Sequence, residues 1–196
     1  MSASVGTGRI EAFSDGVIAV IITIMVLELH APSEPTFGAL VAVVPDFLVY
    51  ALSFLVVAIM WINHHHFFLH AQRSTPGLMW TNVFLLFWMS LIPFDTAWLG
   101  QHPTAAGPIA VYGVTLAFCS LAFLLVQSAL ACQNREDESS ICFFGRIRVK
   151  ASISLVLYLV AAVLPLWSPI PSLAIFVLIP AAYFWPDPKS VPAAEK

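Results

Sequence analysis

The chain has 196 residues, of which 60% are hydrophobic and only 10% are charged, with a formal net charge of −3. Soluble domains carry about 25% charged and about 45–50% apolar residues. The composition therefore excludes an ordinary soluble domain and points to an all-α, polytopic membrane protein. The slight negative charge, without a basic patch, also excludes nucleic acid as a partner.

Six apolar stretches fill the length, at 10–29, 40–62, 78–99, 109–131, 149–167 and 170–185. A membrane helix needs about 20 residues, so six spans with short loops make residues 1–190 one transmembrane domain, with a short tail at 191–196. The first stretch is entered through Arg9, Glu11, Phe13, Ser14 and Asp15. Ionisable groups at the edge of a bilayer helix are costly, which makes them functional or packing-critical by default. A cleaved signal peptide is not expected, because Glu11 and Asp15 accompany Arg9 and no small-x-small site follows Leu29.

Within this stretch Gly16, Val20, Thr23, Ile24 and Leu27 recur at spacings of three and four, which places them on one helix face. Such a stripe either packs on neighbouring helices of its own subunit or meets copies of itself around an axis. In the second case aliphatic rings form a hydrophobic constriction that gates by dewetting, and Thr23 offers hydroxyl oxygens to a partly dehydrated cation. Periodicity leaves both open. Glu28, one turn beyond Ile24, either concentrates cations at an outer mouth or simply lies exposed at the interface.

The second stretch leads into Asn63-His64-His65-His66, with His70 following. Adjacent helical residues point about 100° apart, so three consecutive histidines cannot share a face. Only His66 and His70 have the one-turn spacing of a metal or haem pair, and no His-Glu-x-x-His pattern exists. A milder role is pH dependence, since histidine titrates near neutrality.

Cys119, Cys132 and Cys142 match no metal spacing and read as reduced thiols. Arg146-Ile-Arg148-Val-Lys150 reads as an anchor near anionic headgroups of membrane lipid. The sixth stretch is short and contains Pro180, so it is expected to be kinked or peripheral. With both ends on one side, all eight Lys and Arg residues fall on that side and the opposite loops hold none. That asymmetry predicts a multi-pass protein of the cell membrane with both termini cytoplasmic.

Arg9-Ile-Glu-Ala-Phe13-Ser14-Asp15, with the run that follows to Leu29, resembles the first helix of the transmembrane protein 175 family of potassium channels. Trp61-Ile-Asn-His64-His65 resembles the family's second helix, and the segment from Asn82 to Ser90, Pro93 and Phe94 its third. The resemblance covers the first half of the chain by motif and the second half by hydropathy. It implies the single-repeat form: a homotetramer around one pore lined by the first helix, with no Thr-Val-Gly-Tyr-Gly filter loop. None occurs in this sequence. The family's constriction isoleucine falls on Val20, one methylene smaller, and the next pore-facing layers fall on Thr23, Ile24 and Leu27. The Phe-Ser-Asp motif belongs, in the family, to a polar network joining the first three helices. Arg9, Phe13, Ser14 and Asp15, with His64 or His65 and Asn82, are its expected members here.

The function that follows is passive, potassium-preferring conduction, with potassium as permeant ion and no cofactor. Two alternatives differ in class. One is an intramembrane metal- or haem-binding enzyme using the cluster from His64 to His70. The other is a small secondary transporter, for which repeats and discontinuous helices would be the sign.

Overall fold

A computed structural model describes residues 6–133 and 138–183, apart from the side chains at 138–144 and 146. Arg135, Lys189, Lys196, the Cys142 and Arg146 side chains and the tail at 191–196 lie outside the described residues. Within them the chain is helical and has no strand: α1 (Gly8–Leu27), α2 (Phe37–Ala42), α3 (Val44–Phe68), α4 (Pro76–Met89), α5 (Ile92–Gln101), α6 (Ala106–Gln133), α7 (Glu138–Val163) and α8 (Ile170–Tyr183), with a 3-10 turn at Leu164–Leu166.

Five segments are long and apolar enough to cross a bilayer: Gly8–Leu27, Val44–Phe68, Pro76–Gln101, Ala106–Gln133 and Ile147–Leu166. They answer to the first five apolar stretches of the sequence. The sixth becomes α8, whose 14 residues carry Pro180 inside the helix. At about 1.5 Å per residue it is shorter than a hydrocarbon core of about 30 Å.

Local chemistry sets the helix starts. The side chains of Thr36 and Thr75 accept from the amides of Ala39 and Leu78, each at 3.2 Å, which caps α2 and α4. Pro76 occupies the first turn of α4, where its missing donor is harmless. Pro93 has the opposite effect. Its ring cannot follow an unbroken helix, so the third span divides into α4 and α5 at Ser90 and Leu91. The Ser90 hydroxyl donates to the Phe87 carbonyl at 2.7 Å at that break.

The long α6 sits at the centre, packed on α4, α5, α7 and α8. Its crossing with α7 is close because Gly113 has no side chain. A Cβ there would lie 3.0 to 3.1 Å from backbone and Cβ atoms of Ala162. Trp88 stacks on Phe118 with ring centroids 4.2 Å apart, and the buried Tyr112 hydroxyl lies 3.0 Å from Ser53 Oγ. Helix α1 lies against α3, α4 and α5 on one side only, and that one-sidedness defines the candidate site.

Candidate functional site

The inward face of α1 consists of Ile10, Ser14, Ile18, Ile21 and Met25. Ser14 is the polar member of this row and is wholly buried. Its hydroxyl donates to the Ile10 carbonyl at 2.8 Å, so the oxygen accepts from Asn82 Nδ2 at 2.9 Å. Asn82 Oδ1 then faces His64 Nε2 at 2.8 Å, which makes that ring nitrogen the donor. His64 and Asn82 are 2% and 1% exposed, so breaking either bond strands a polar atom with no water to replace it. The His64 ring also stacks on Phe68 at 4.3 Å. One chain of hydrogen bonds therefore ties α1 to α4 and α3.

Asp15 is not in that chain. It is exposed, and its Oδ1 accepts from Trp61 Nε1 at 2.9 Å. The expectation that Asp15 meets His64, His65 or Asn82 is thus corrected: Ser14 meets Asn82, Asn82 in turn meets His64, and Asp15 meets Trp61. The reason is angular. Consecutive helical residues diverge by about 100°, so Ser14 points into the three-helix seam while Asp15 turns to the flank of α3. His65 is exposed and stacks on the Trp61 ring at 6.2 Å. Arg9 and Phe13 are exposed, and neither joins the network within the subunit.

The stripe of Gly16, Val20, Thr23, Ile24 and Leu27 is exposed along its whole length. Val20 is 54% and Leu27 75% exposed, against 2% for Ile18 and 1% for Met25. The reading that this face packs inside its own subunit is therefore overturned. A Cβ at Gly16 would meet nothing within 4 Å. The Thr23 hydroxyl donates to the Val20 carbonyl at 2.9 Å, which spends its proton inward and leaves the oxygen lone pairs facing out. Beside the stripe runs a groove of about 700 Å³, bounded by Phe13, Val20 and Ile24 on α1 and by Pro93, Phe94 and Ala97 on α5. Glu28 caps α1 at its far end and is exposed.

His70 Nδ1 lies 3.0 Å from the His66 carbonyl, and among the described residues no three His, Cys, Asp or Glu side chains gather to hold a metal ion. Cys119 is buried in α6.

The sequence profile of the family described as Endosomal/lysosomal potassium channel TMEM175 matches residues 9–93. A potassium channel of Chryseobacterium sp. (strain P1-3) is 35% identical over 181 residues, covering 92% of this chain and 93% of that protein. The chain belongs to the TMEM175 family. Among solved structures, the lysosomal potassium-selective channel TMEM175 homolog from Chamaesiphon minutus superposes with a TM-score of 0.79 at 30% identity, over 90% of this chain and 95% of that one. The human protein named Endosomal/lysosomal proton channel TMEM175 is 30% identical over 173 residues, but this chain spans only 34% of its length.

The family profile runs from Arg9 to the proline break and so contains every residue of both faces and of the polar chain. Two polar groups escaped the sequence reading. Trp61 stood in plain view, and a membrane-buried indole N–H needs a partner, but its pairing with Asp15 depends on how α1 is rotated. Asp95 is 2% exposed, its Oδ2 has no partner, and Thr115 hydrogen-bonds its carboxyl. A lone carboxylate within an apolar run was the available signal.

Proposed function

We propose that this protein is a potassium-preferring cation channel: a homotetramer in the cell membrane, both termini cytoplasmic, with its pore enclosed by the exposed stripe of α1. The carrying observation is the face of α1 that is left bare by its own subunit, in a chain whose relatives are named potassium channels. The chain is not an enzyme, since the family and the relatives named above are ion channels.

The mechanism follows from the side chains on that face. Rings of Val20, Ile24 and Leu27 form a dry, narrow passage in which water columns break easily. An ion crosses it by shedding part of its hydration shell, and potassium holds that shell less tightly than sodium. Thr23 sits between the aliphatic layers with oxygen lone pairs turned outward, and it replaces part of the lost water. With no backbone filter, selection by this route is modest. Val20 makes the narrowest layer wider than an isoleucine would.

Orientation is supported by the sequence asymmetry: with both ends on one side, all eight Lys and Arg residues fall on that side and the opposite connections hold none. The polar chain of Ser14, Asn82 and His64 serves as scaffold, holding α1 so that its apolar stripe faces the axis. Arg9 and Phe13, unoccupied within the subunit, are placed to meet a neighbouring one.

The test is potassium flux into liposomes, using variants that lack the native cysteines and carry Val20→Cys, Thr23→Cys or Leu27→Cys. A thiol reagent should block flux at all three positions and leave Ile18→Cys conducting. Flux untouched by the reagent at positions 20, 23 and 27 would remove α1 from the pore.

A further inference from the structure

The turn at Leu164–Leu166 sends α8 back along α7, and a groove of about 460 Å³ lies between the two helices. Residues three and four apart share a helix face, so Lys150, Ser154 and Leu157 fall together on the α7 side and Ile175, Leu178 and Ala182 on the α8 side. None of them borders the exposed stripe of α1 or the groove beside it.

Polarity is sorted along this groove. At one end the Ser154 Oγ lies 3.3 Å from the Tyr183 hydroxyl, and Lys150, one turn from Ser154, is within electrostatic reach of the same hydroxyl. Past these three side chains the lining is aliphatic only. The polar end also sits at a defined depth. Lys150 falls in the first turn of the span Ile147–Leu166, which is headgroup level, and Leu157 lies about 10 Å further in. Ile153 and Leu178 are 54% and 64% exposed on the walls, and at that depth exposed aliphatic surface meets lipid chains rather than water.

Charge distinguishes this groove from lipid-facing surface in general. Lys150 is the one charged side chain that lines it among the described residues. Arg148, two residues earlier, donates to the Ser128 hydroxyl of α6 at 3.0 Å and is not part of the lining. Ala182 presents only a methyl group beside Lys150 and Tyr183, which leaves the mouth open. A cationic, hydroxyl-bearing mouth above an aliphatic trough is complementary to one amphiphile, a phosphate ester with a hydrocarbon tail.

We propose that the groove between α7 and α8 binds one anionic phospholipid per subunit, with its phosphate at Lys150 and the Ser154 and Tyr183 hydroxyls and one acyl chain laid along the aliphatic walls. A lysine meets phosphate as a point charge, so a zwitterionic headgroup, whose amine the same lysine repels, is bound less well. The bound lipid adds a contact between α7 and α8, a helix of 14 residues that is shorter than the hydrocarbon core. The site requires a membrane protein, but not that α1 lines a pore.

The full-length protein, purified in detergent, is titrated with dioleoyl phosphatidylglycerol, with dioleoyl phosphatidylcholine of identical chains, and with glycerol 3-phosphate as headgroup alone. Lipids retained per subunit are counted by native mass spectrometry, and the unfolding temperature is followed alongside. Saturable retention of one phosphatidylglycerol per subunit with a rise in unfolding temperature is expected, and little from the other two. Lys150→Gln should weaken that binding about fivefold, the effect of one basic residue near a membrane surface, and Lys150→Arg should restore most of it. Leu178→Trp, which fills the trough from an exposed position, should abolish retention, whereas Arg148→Gln should leave it unchanged. Equal retention of phosphatidylcholine, equal losses in Lys150→Gln and Arg148→Gln, or unchanged binding in Leu178→Trp would overturn the site. So would the absence of retained lipid in the assembled protein, the result expected if a second copy covers the groove.

Discussion

The two faces of α1 obey opposite rules although they share 20 residues. The inward face is aliphatic with one buried serine, and that serine spends both its hydrogen-bonding roles on named partners. The outward face is almost equally apolar, yet its own subunit leaves it exposed. Burial and hydrogen bonding fix the helix from one side so that the other can be left bare. Mutations on the first face should therefore read out as stability, and those on the second as conduction.

The sharpest test of that division pairs two isoleucines six residues apart on α1. Ile18→Ala, which empties a fully packed position, should destabilise by about 2–5 kcal/mol, whereas Ile24→Ala should stay within about 0.5 kcal/mol. Thermal unfolding of the two purified variants decides it, and similar losses would mean that the faces are not distinct. Next in size is Asn82→Ala, which strands the buried His64 ring N–H while the Ser14 hydroxyl keeps its bond to the Ile10 carbonyl. A cost of about 1–3 kcal/mol is expected for the buried group left unpaired, and denaturant melts would show it.

Asp15→Ala and Trp61→Phe break the same exposed bond from its two ends. Both should lower the yield of assembled protein on size-exclusion chromatography by a similar, smaller amount, and the double variant should lose little more than either alone. Normal assembly with merely altered conductance would show that the bond has no part in packing. The smallest effect is expected from Glu28→Gln: inward potassium flux reduced by less than about twofold at low salt and unchanged at high salt, where screening removes steering.

How far the sequence announced this arrangement depends on the residue. The stripe from Gly16 to Leu27 was legible because helical periodicity alone puts those residues on one face. The five long spans were legible because an apolar run of that length has few alternatives. Ser14, His64 and Asn82 could be named as partners in a network, but not in their order. Which of Ser14 and Asp15 turns inward depends on the rotation of α1 against α3, and no spacing encodes that. The break at Pro93 was missed because the run from 78 to 99 stays apolar straight through it. The second span was expected to end at 62, but α3 continues to Phe68. His64 finds its partner on α4, and Phe67 and Phe68 are buried, so tertiary packing carries the helix past the polar cluster.

The division of the third span at Ser90 and Leu91 has a mechanical consequence. A continuous rod would transmit a push from one membrane surface to the other. Here the half that carries Asn82 and the half that carries Thr96 are separate levers meeting at a joint, the first hydrogen-bonded to Ser14 of α1 and the second packed against α1. A displacement of α5 is therefore taken up at that joint rather than carried rigidly across, which spares the Ser14–Asn82 anchorage of α1.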